Sequence, residues 1–155
     1  MGLVLEIYID GDACPVKEET IRVALRHGLK VYLVGNRWLR GDDGPLVERV
    51  VVPEGMDAAD NWIVEHIGEG DIVITADIPL ADRSIKKGAR ALGPTGKPFS
   101  EDSIGMVVAM RDLMTHLRET GEIKGYNPSF SKQDRSRFLN ALENVIQGLR
   151  RRASN

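Results

Sequence analysis

Apolar runs of strand length alternate with stretches of helical period along most of this chain. Val4 to Ile9 is apolar at every position but Glu6, the pattern of a strand buried on both faces. From about Pro15 to His27 the apolar residues Ile21, Val23, Ala24 and Leu25 fall within a helical stretch. Pro15 in its first turn and Gly28 just past its end mark the limits. A second strand covers Val31 to Val34 and a third about Val47 to Val52. Between them the loop from Arg37 to Pro45 contains Gly41-Asp42-Asp43-Gly44-Pro45, which breaks both periods. Asp57 reads as the N-cap of a helix reaching Ile67. A fourth strand runs from Ile72 to Thr75, Pro79 opens a helix that closes near Lys87-Gly88, and Ala89 to Leu92 makes a short fifth strand. Two longer helices, about Asp102 to Thr120 and Ser131 to Leu149, follow, joined by a Gly/Pro/Asn-rich connector from Gly121 to Ser129. In the first of them Met106, Met110 and Met114 recur every fourth residue, a stripe suited to core packing.

This β-α-β alternation predicts a three-layer α/β domain with a parallel sheet of four or five strands and two additional C-terminal helices. At 155 residues the simplest organisation is one domain over residues 1–150 with a short basic tail at 151–155. An apolar content of 42% and a charged content of 28% suit a soluble globular protein. The formal net charge of −2 argues against a general nucleic-acid binder. Charge is nevertheless uneven: from Pro79 to Phe99, Arg83, Lys86, Lys87, Arg90 and Lys97 face only Asp82. The single Cys14 excludes a disulfide framework within the chain, and His27, His66 and His116 have no close metal-binding partner in sequence. Neither a signal peptide nor a membrane span is apparent, so the expected location is the cytoplasm.

The chemistry concentrates at strand ends. The first strand runs into Asp10-Gly11-Asp12, and Asp77 leaves the fourth. In an open α/β sheet the carboxyl ends of parallel strands share one edge, where ligands bind. Carboxylates gathered there repel one another unless a cation or shared protons compensate. Asp57 and Asp60 lie three apart on one helix face, and hard oxygen ligands of this kind suit Mg²⁺ or Mn²⁺. Each acid also has a purely structural reading: Asp57 and Asp60 as helix-capping residues, Asp77 as a turn residue, Asp82 as an exposed helix carboxylate. Lys17, one turn into the first helix, can neutralise the carboxylates or hold a phosphate, and Asn36, just past the second strand, can add a hydrogen bond. Cys14 reads as a small packed residue.

The string Asp10-Gly11-Asp12-Ala13-Cys14-Pro15-Val16-Lys17 resembles the opening signature of the YaiI/YqxD-type family of bacterial proteins. The resemblance extends through Asp57-Ala58-Ala59-Asp60, the specific run Thr75-Ala76-Asp77-Ile78-Pro79-Leu80-Ala81, Lys87-Gly88-Ala89, Met110-Arg111-Asp112 and Asp134-Arg135, and so covers nearly the whole chain. That family in turn resembles PIN-like nucleases, whose acids lie at strand ends and on the helix before the fourth strand. Carried over, the resemblance implies metal ligation by Asp10, Asp60 and Asp77, with Asp57 beside them. Asp12 is a further neighbour; read from position and charge, Asp10, Asp12 and Asp77 with Lys17 are the candidate catalytic residues, and Asn36, Arg83, Lys86, Lys87 and Arg111 the candidate substrate contacts. Gly11 departs from the family's usual Ala, and Asp82 falls where the signature does not require an acid.

These readings lead to a Mg²⁺- or Mn²⁺-dependent phosphodiesterase acting on RNA. The alternatives are a non-catalytic RNA- or protein-binding member of the fold, and a haloacid-dehalogenase-like phosphatase suggested by Asp10-x-Asp12. Against the phosphatase, Asp71 should begin the fourth strand, at the wrong edge, and the second strand ends in Gly35-Asn36 rather than a phosphate-binding Ser or Thr. The outer faces of the last two helices could support a homodimer.

Overall fold

A computed structural model describes residues 5–11, 14–36, 44–53, 58–99 and 130–154. Their elements run β1 (Glu6–Asp10), α1 (Lys17–Arg26), β2 (Lys30–Gly35), β3 (Val47–Val51), α2 (Ala58–His66), β4 (Ile72–Ile74), α3 (Ile78–Lys86), β5 (Arg90–Leu92), β6 (Pro98–Phe99) and α4 (Lys132–Ser154). The strands form one sheet of order β3-β2-β1-β4-β5-β6. The first five are parallel, as the alternating pattern predicts, and β6 is antiparallel to β5. This sixth strand is an addition to the expected four or five. It is two residues long and contains Pro98, a residue that cannot donate to a ladder and is confined to edges.

Alternate side chains of the central strands feed two cores. Ile7, Ile9, Val31, Leu33, Ile72 and Ile74 face α1 and α4, where Phe138, Leu142 and Ile146 recur at every fourth residue and are fully buried. Tyr8, Val34, Val73 and Ala91 face α2 and α3 with Ile63, Leu80 and Ala81. Each fully buried large side chain contributes about 1.5–3 kcal/mol relative to exposure, so this three-layer arrangement follows from strands apolar on both faces. The first of the two expected C-terminal helices and its connector, with Met106, Met110 and Met114, lie outside the described residues. The second is α4. It continues through the arginines at 150–152 to Ser154.

α1 ends where Gly28 takes φ 69° and Leu29 N–H returns to Ala24 O at 2.8 Å, a left-handed cap that glycine adopts at least cost. α4 then packs alongside α1 in the same direction. Arg135 meets Glu19 near the two N-termini, Arg26 and His27 meet Glu143 further along, and Arg150 donates to His27 O near the far end. Gly96 sets the close approach of the β5–β6 turn to α4. Its φ is +90°, and a Cβ there would lie 2.7 Å from Arg137 O.

Candidate active site

β1 and β4 are neighbours, with Ile9 opposite Ile74, and the strand order reverses between them. β1 leads through α1 to β2 on one side, and β4 leads through α3 to β5 on the other, with α1 and α3 packed on opposite faces. The crevice at such a switch point is the ligand-binding position of open α/β sheets. Asp10 is the last residue of β1, and Thr75 follows the last residue of β4.

Thr75 joins the two strand ends. Its hydroxyl donates to Asp10 Oδ2 at 3.0 Å and accepts from Asp77 N–H at 2.9 Å. Thr75 is 2% exposed, whereas Asp10 and Asp77 are half-buried, so a buried hydroxyl supports two acids that retain contact with solvent. Asp77 also caps α3: its Oδ1 accepts from Leu80 N–H at 2.9 Å, and Pro79 in the first turn has no N–H to leave orphaned. The turn role anticipated for Asp77 is therefore real, and it leaves the residue at the crevice. α1 and α3 both begin at this edge, so their positive dipole ends favour anionic side chains there.

Lys17 opens α1 and its Nζ donates to Gly11 O at 3.0 Å, placing an ammonium against the backbone that follows Asp10. Asn36 follows the end of β2 at the same edge and is half-buried. Asp60 lies in the first turn of α2, which enters from the carboxyl end of β3, so topology brings it to this edge as well. Arg83 donates to Asn61 Oδ1 at 3.0 Å, next to Asp60 in sequence. Lys86 and Lys87 are not brought together with the acids. They close α3, roughly 13 Å along its axis from Asp77, where Lys86 pairs with Asp82 at 2.9 Å and Lys87 donates to Val64 O. Asp12, Asp57 and Arg111 lie outside the described residues.

Carboxylate oxygens are the donor type a hard cation prefers. Mg²⁺ and Mn²⁺ are commonly held by one or two protein carboxylates, with waters and substrate phosphate oxygens completing the shell, and half-buried Asp10 and Asp77 supply that chemistry. Among the described residues no three His, Cys, Asp or Glu side chains group closely enough to cage an ion by themselves. Cys14 stays a neutral thiol beside this edge: it is buried, and desolvation pushes its pKa up to about 11 against the opposing pull of the Val16 backbone and Lys17. Asp71 precedes β4 at the opposite edge. It accepts from Glu6 N–H at 3.0 Å and Gly68 N–H at 2.9 Å, a structural clamp distant from the crevice.

Sequence reasoning missed Thr75, whose hydroxyl two residues before an aspartate at a strand end was the available signal. It also missed Glu19 and Arg135. Glu19 is 7% exposed although it stands in the acidic first turn of α1, and Arg135 Nη1 donates to its Oε1 at 2.6 Å.

The chain is thus an open α/β domain with acids at its sheet switch point. It belongs to the family described as "Uncharacterized BCR, YaiI/YqxD family", whose sequence model matches residues 8–148. The UPF0178 protein of Parvibaculum lavamentivorans is 61% identical over 147 residues, covering 95% of this chain and 97% of that one. The UPF0178 protein of Rhodospirillum rubrum is 59% identical over 148 residues, covering 95% and 99%. A UPF0178 protein of Rhodopseudomonas palustris is 58% identical over 146 residues, covering 94% and 92%. None of these names assigns an activity.

Proposed function

We propose that the carboxyl edge of the sheet hydrolyses phosphodiester bonds in single-stranded RNA with the help of Mg²⁺ or Mn²⁺, in the manner of PIN-like nucleases. One observation carries the reading. Asp10 and Thr75, 65 residues apart in sequence, meet at the switch point, and Thr75 in turn holds the backbone of Asp77. A buried hydroxyl thus orients the Asp10 carboxylate and ties down the backbone of Asp77, and two acids at one sheet edge favour a cation beside them. Asp10 and Asp77 would hold the cation, with Asp60 entering from α2. The bound ion supplies an activated water and charge neutralisation at the leaving oxygen. Thr75 keeps the Asp10 carboxylate oriented, and Lys17 offsets negative charge beside it. Arg83 and Asn36 flank the edge as polar contacts for a polynucleotide backbone.

Purified protein incubated with labelled single-stranded RNA and Mn²⁺ should cleave it, EDTA should stop the reaction, and Asp10→Asn should remove it. Equal cleavage by both proteins would identify a contaminant, and no cleavage with any divalent ion would overturn the hydrolytic reading. A second reading, RNA binding without chemistry, draws on the commitment of one Asp77 oxygen to helix capping. Tight RNA binding in EDTA with no turnover under any metal would select it.

A further inference from the structure

We propose that Arg135 is a phosphate ligand for the substrate strand, held ready at the site edge by the buried carboxylate of Glu19; this rests on the RNA-directed reading above. Glu19 lies in the first turn of α1, two residues beyond Lys17, whose ammonium is bonded to the carbonyl following Asp10. Because α4 runs alongside α1 in the same direction, its first turn reaches the same edge of the sheet. A reciprocal capping box fixes that turn: Ser131 N–H donates to Asp134 Oδ2 at 3.0 Å, and Asp134 N–H donates to Ser131 Oγ at 3.1 Å. Arg135 follows immediately.

Glu19 Oε1 takes the Arg135 hydrogen bond, while Glu19 Oε2 is buried with no hydrogen-bond partner. A buried carboxylate with half its acceptor capacity unused is costly, and an apolar pair would seal a helix seam at least as well. Phe138, Leu142 and Ile146 of α4 are buried that way, and the other ion pairs between the two helices, at Arg26, His27 and Glu143, lie on carboxylate oxygens that have partners. What the arrangement does achieve is order in a guanidinium that stays 48% exposed. Glu19 grips one nitrogen and the Phe130 ring lies beneath at 5.2 Å. A guanidinium carries five N–H donors in a planar fork, so a guanidinium fixed through one nitrogen and one face retains donors for a phosphate without a further ordering cost. The other basic candidates are arranged differently: Lys86 pairs with Asp82, and Lys87 is turned onto the end of α2.

The test is binding of the full chain to a short fluorescein-labelled single-stranded RNA, followed by anisotropy across a salt series in Ca²⁺ buffer. Arg135→Ala should weaken binding roughly 10-fold and reduce the slope of log K against log salt by about 0.7, the loss of one single-strand phosphate contact. Arg135→Lys should keep the slope while losing part of the affinity, since it retains the charge but not the fork. Arg150→Ala cuts the α1–α4 tie at the far end of the helix and should leave both affinity and slope unchanged. If Arg135→Ala and Arg150→Ala weaken binding alike with unchanged slopes, Arg135 acts only in helix docking and the proposal is overturned. Binding by the parent chain that Arg135→Ala leaves intact removes this role but not the site. Absence of binding by the parent chain removes both.

Discussion

Replacing Thr75 with Val tests the bridge on which the crevice depends. The two side chains are nearly isosteric, and Thr75 is 2% exposed, so the change deletes a hydroxyl without opening a cavity. Two hydrogen bonds disappear. The one to the Asp10 carboxylate, 3.0 Å long, belongs to a class that contributes about 1.5–3 kcal/mol. The one from Asp77 N–H, 2.9 Å long, leaves a backbone donor without its partner. That donor sits beside exposed Ala76, where water can reach it, so most of its penalty is relieved. The additional buried methyl returns up to about 0.8 kcal/mol. The net expectation is destabilisation by about 2 kcal/mol, or about 4–8 °C in Tm for a chain of this size. Thr75→Ser keeps both bonds, loses one buried methyl and should cost about 1 kcal/mol. Urea unfolding at constant m should therefore rank the parent above Ser and Ser above Val, whereas hydrophobicity alone would place Val first. Combining Thr75→Val with Asp10→Ala should show coupling of at least about 1 kcal/mol, because the first change removes what the second would lose. A valine variant as stable as the serine one, or additive effects in the double variant, would refute the bridge.

Two further outcomes follow from buried acids and thiols. With its pKa pushed up to about 11 by burial, Cys14 holds little thiolate, and iodoacetamide at about pH 8 should alkylate the folded protein on the order of 100-fold more slowly than the urea-unfolded chain. That rate should still be climbing above about pH 9; a plateau near the ordinary thiol range would contradict the assignment. Burial also raises the Asp71 pKa, although the N–H groups of Glu6 and Gly68 pull it back. The folded state then holds the proton more tightly than the unfolded chain, so this group's stabilisation is present at low pH and is lost as pH rises through the folded value. Asp71→Asn turns an NH₂ group toward one of the two N–H donors and should cost about 1–3 kcal/mol, with the gap from the parent narrowing as pH rises from about 3 to 7. A gap that widened over that range in urea titrations would reverse the sign of the argument.

The parallel strands were legible because Val31 to Val34 and Ile72 to Ile74 are apolar runs with no helical period, bounded by glycines and polar residues. Asp10 and Asp77 were legible as strand-end acids for the same reason: once the strands are located, parallel topology puts their carboxyl ends at one edge. Thr75 was hidden by its residue type, since a β-branched residue at the end of a strand looks like ordinary strand propensity. Lys86 and Lys87 stand near Asp77 in sequence, but the rise of the intervening helix carries them to its far end. Glu19 and Arg135 were hidden by their separation of 116 residues. Only the docking of α4 on α1 makes them neighbours, and an acid in a first helical turn otherwise reads as a solvated, dipole-favoured residue. β6 was too short to give any periodic signal.

The central position of β1 has a bearing on how the protein is made. β1 is flanked in the finished sheet by β2 and by β4, and one of its faces is covered by α1 together with α4, a helix translated more than a hundred residues later. α1 can cover part of Ile7 and Ile9 early, but the rest of their apolar surface waits for α4. Such non-local closure slows folding and leaves a sticky nascent segment that chaperones would be expected to shield.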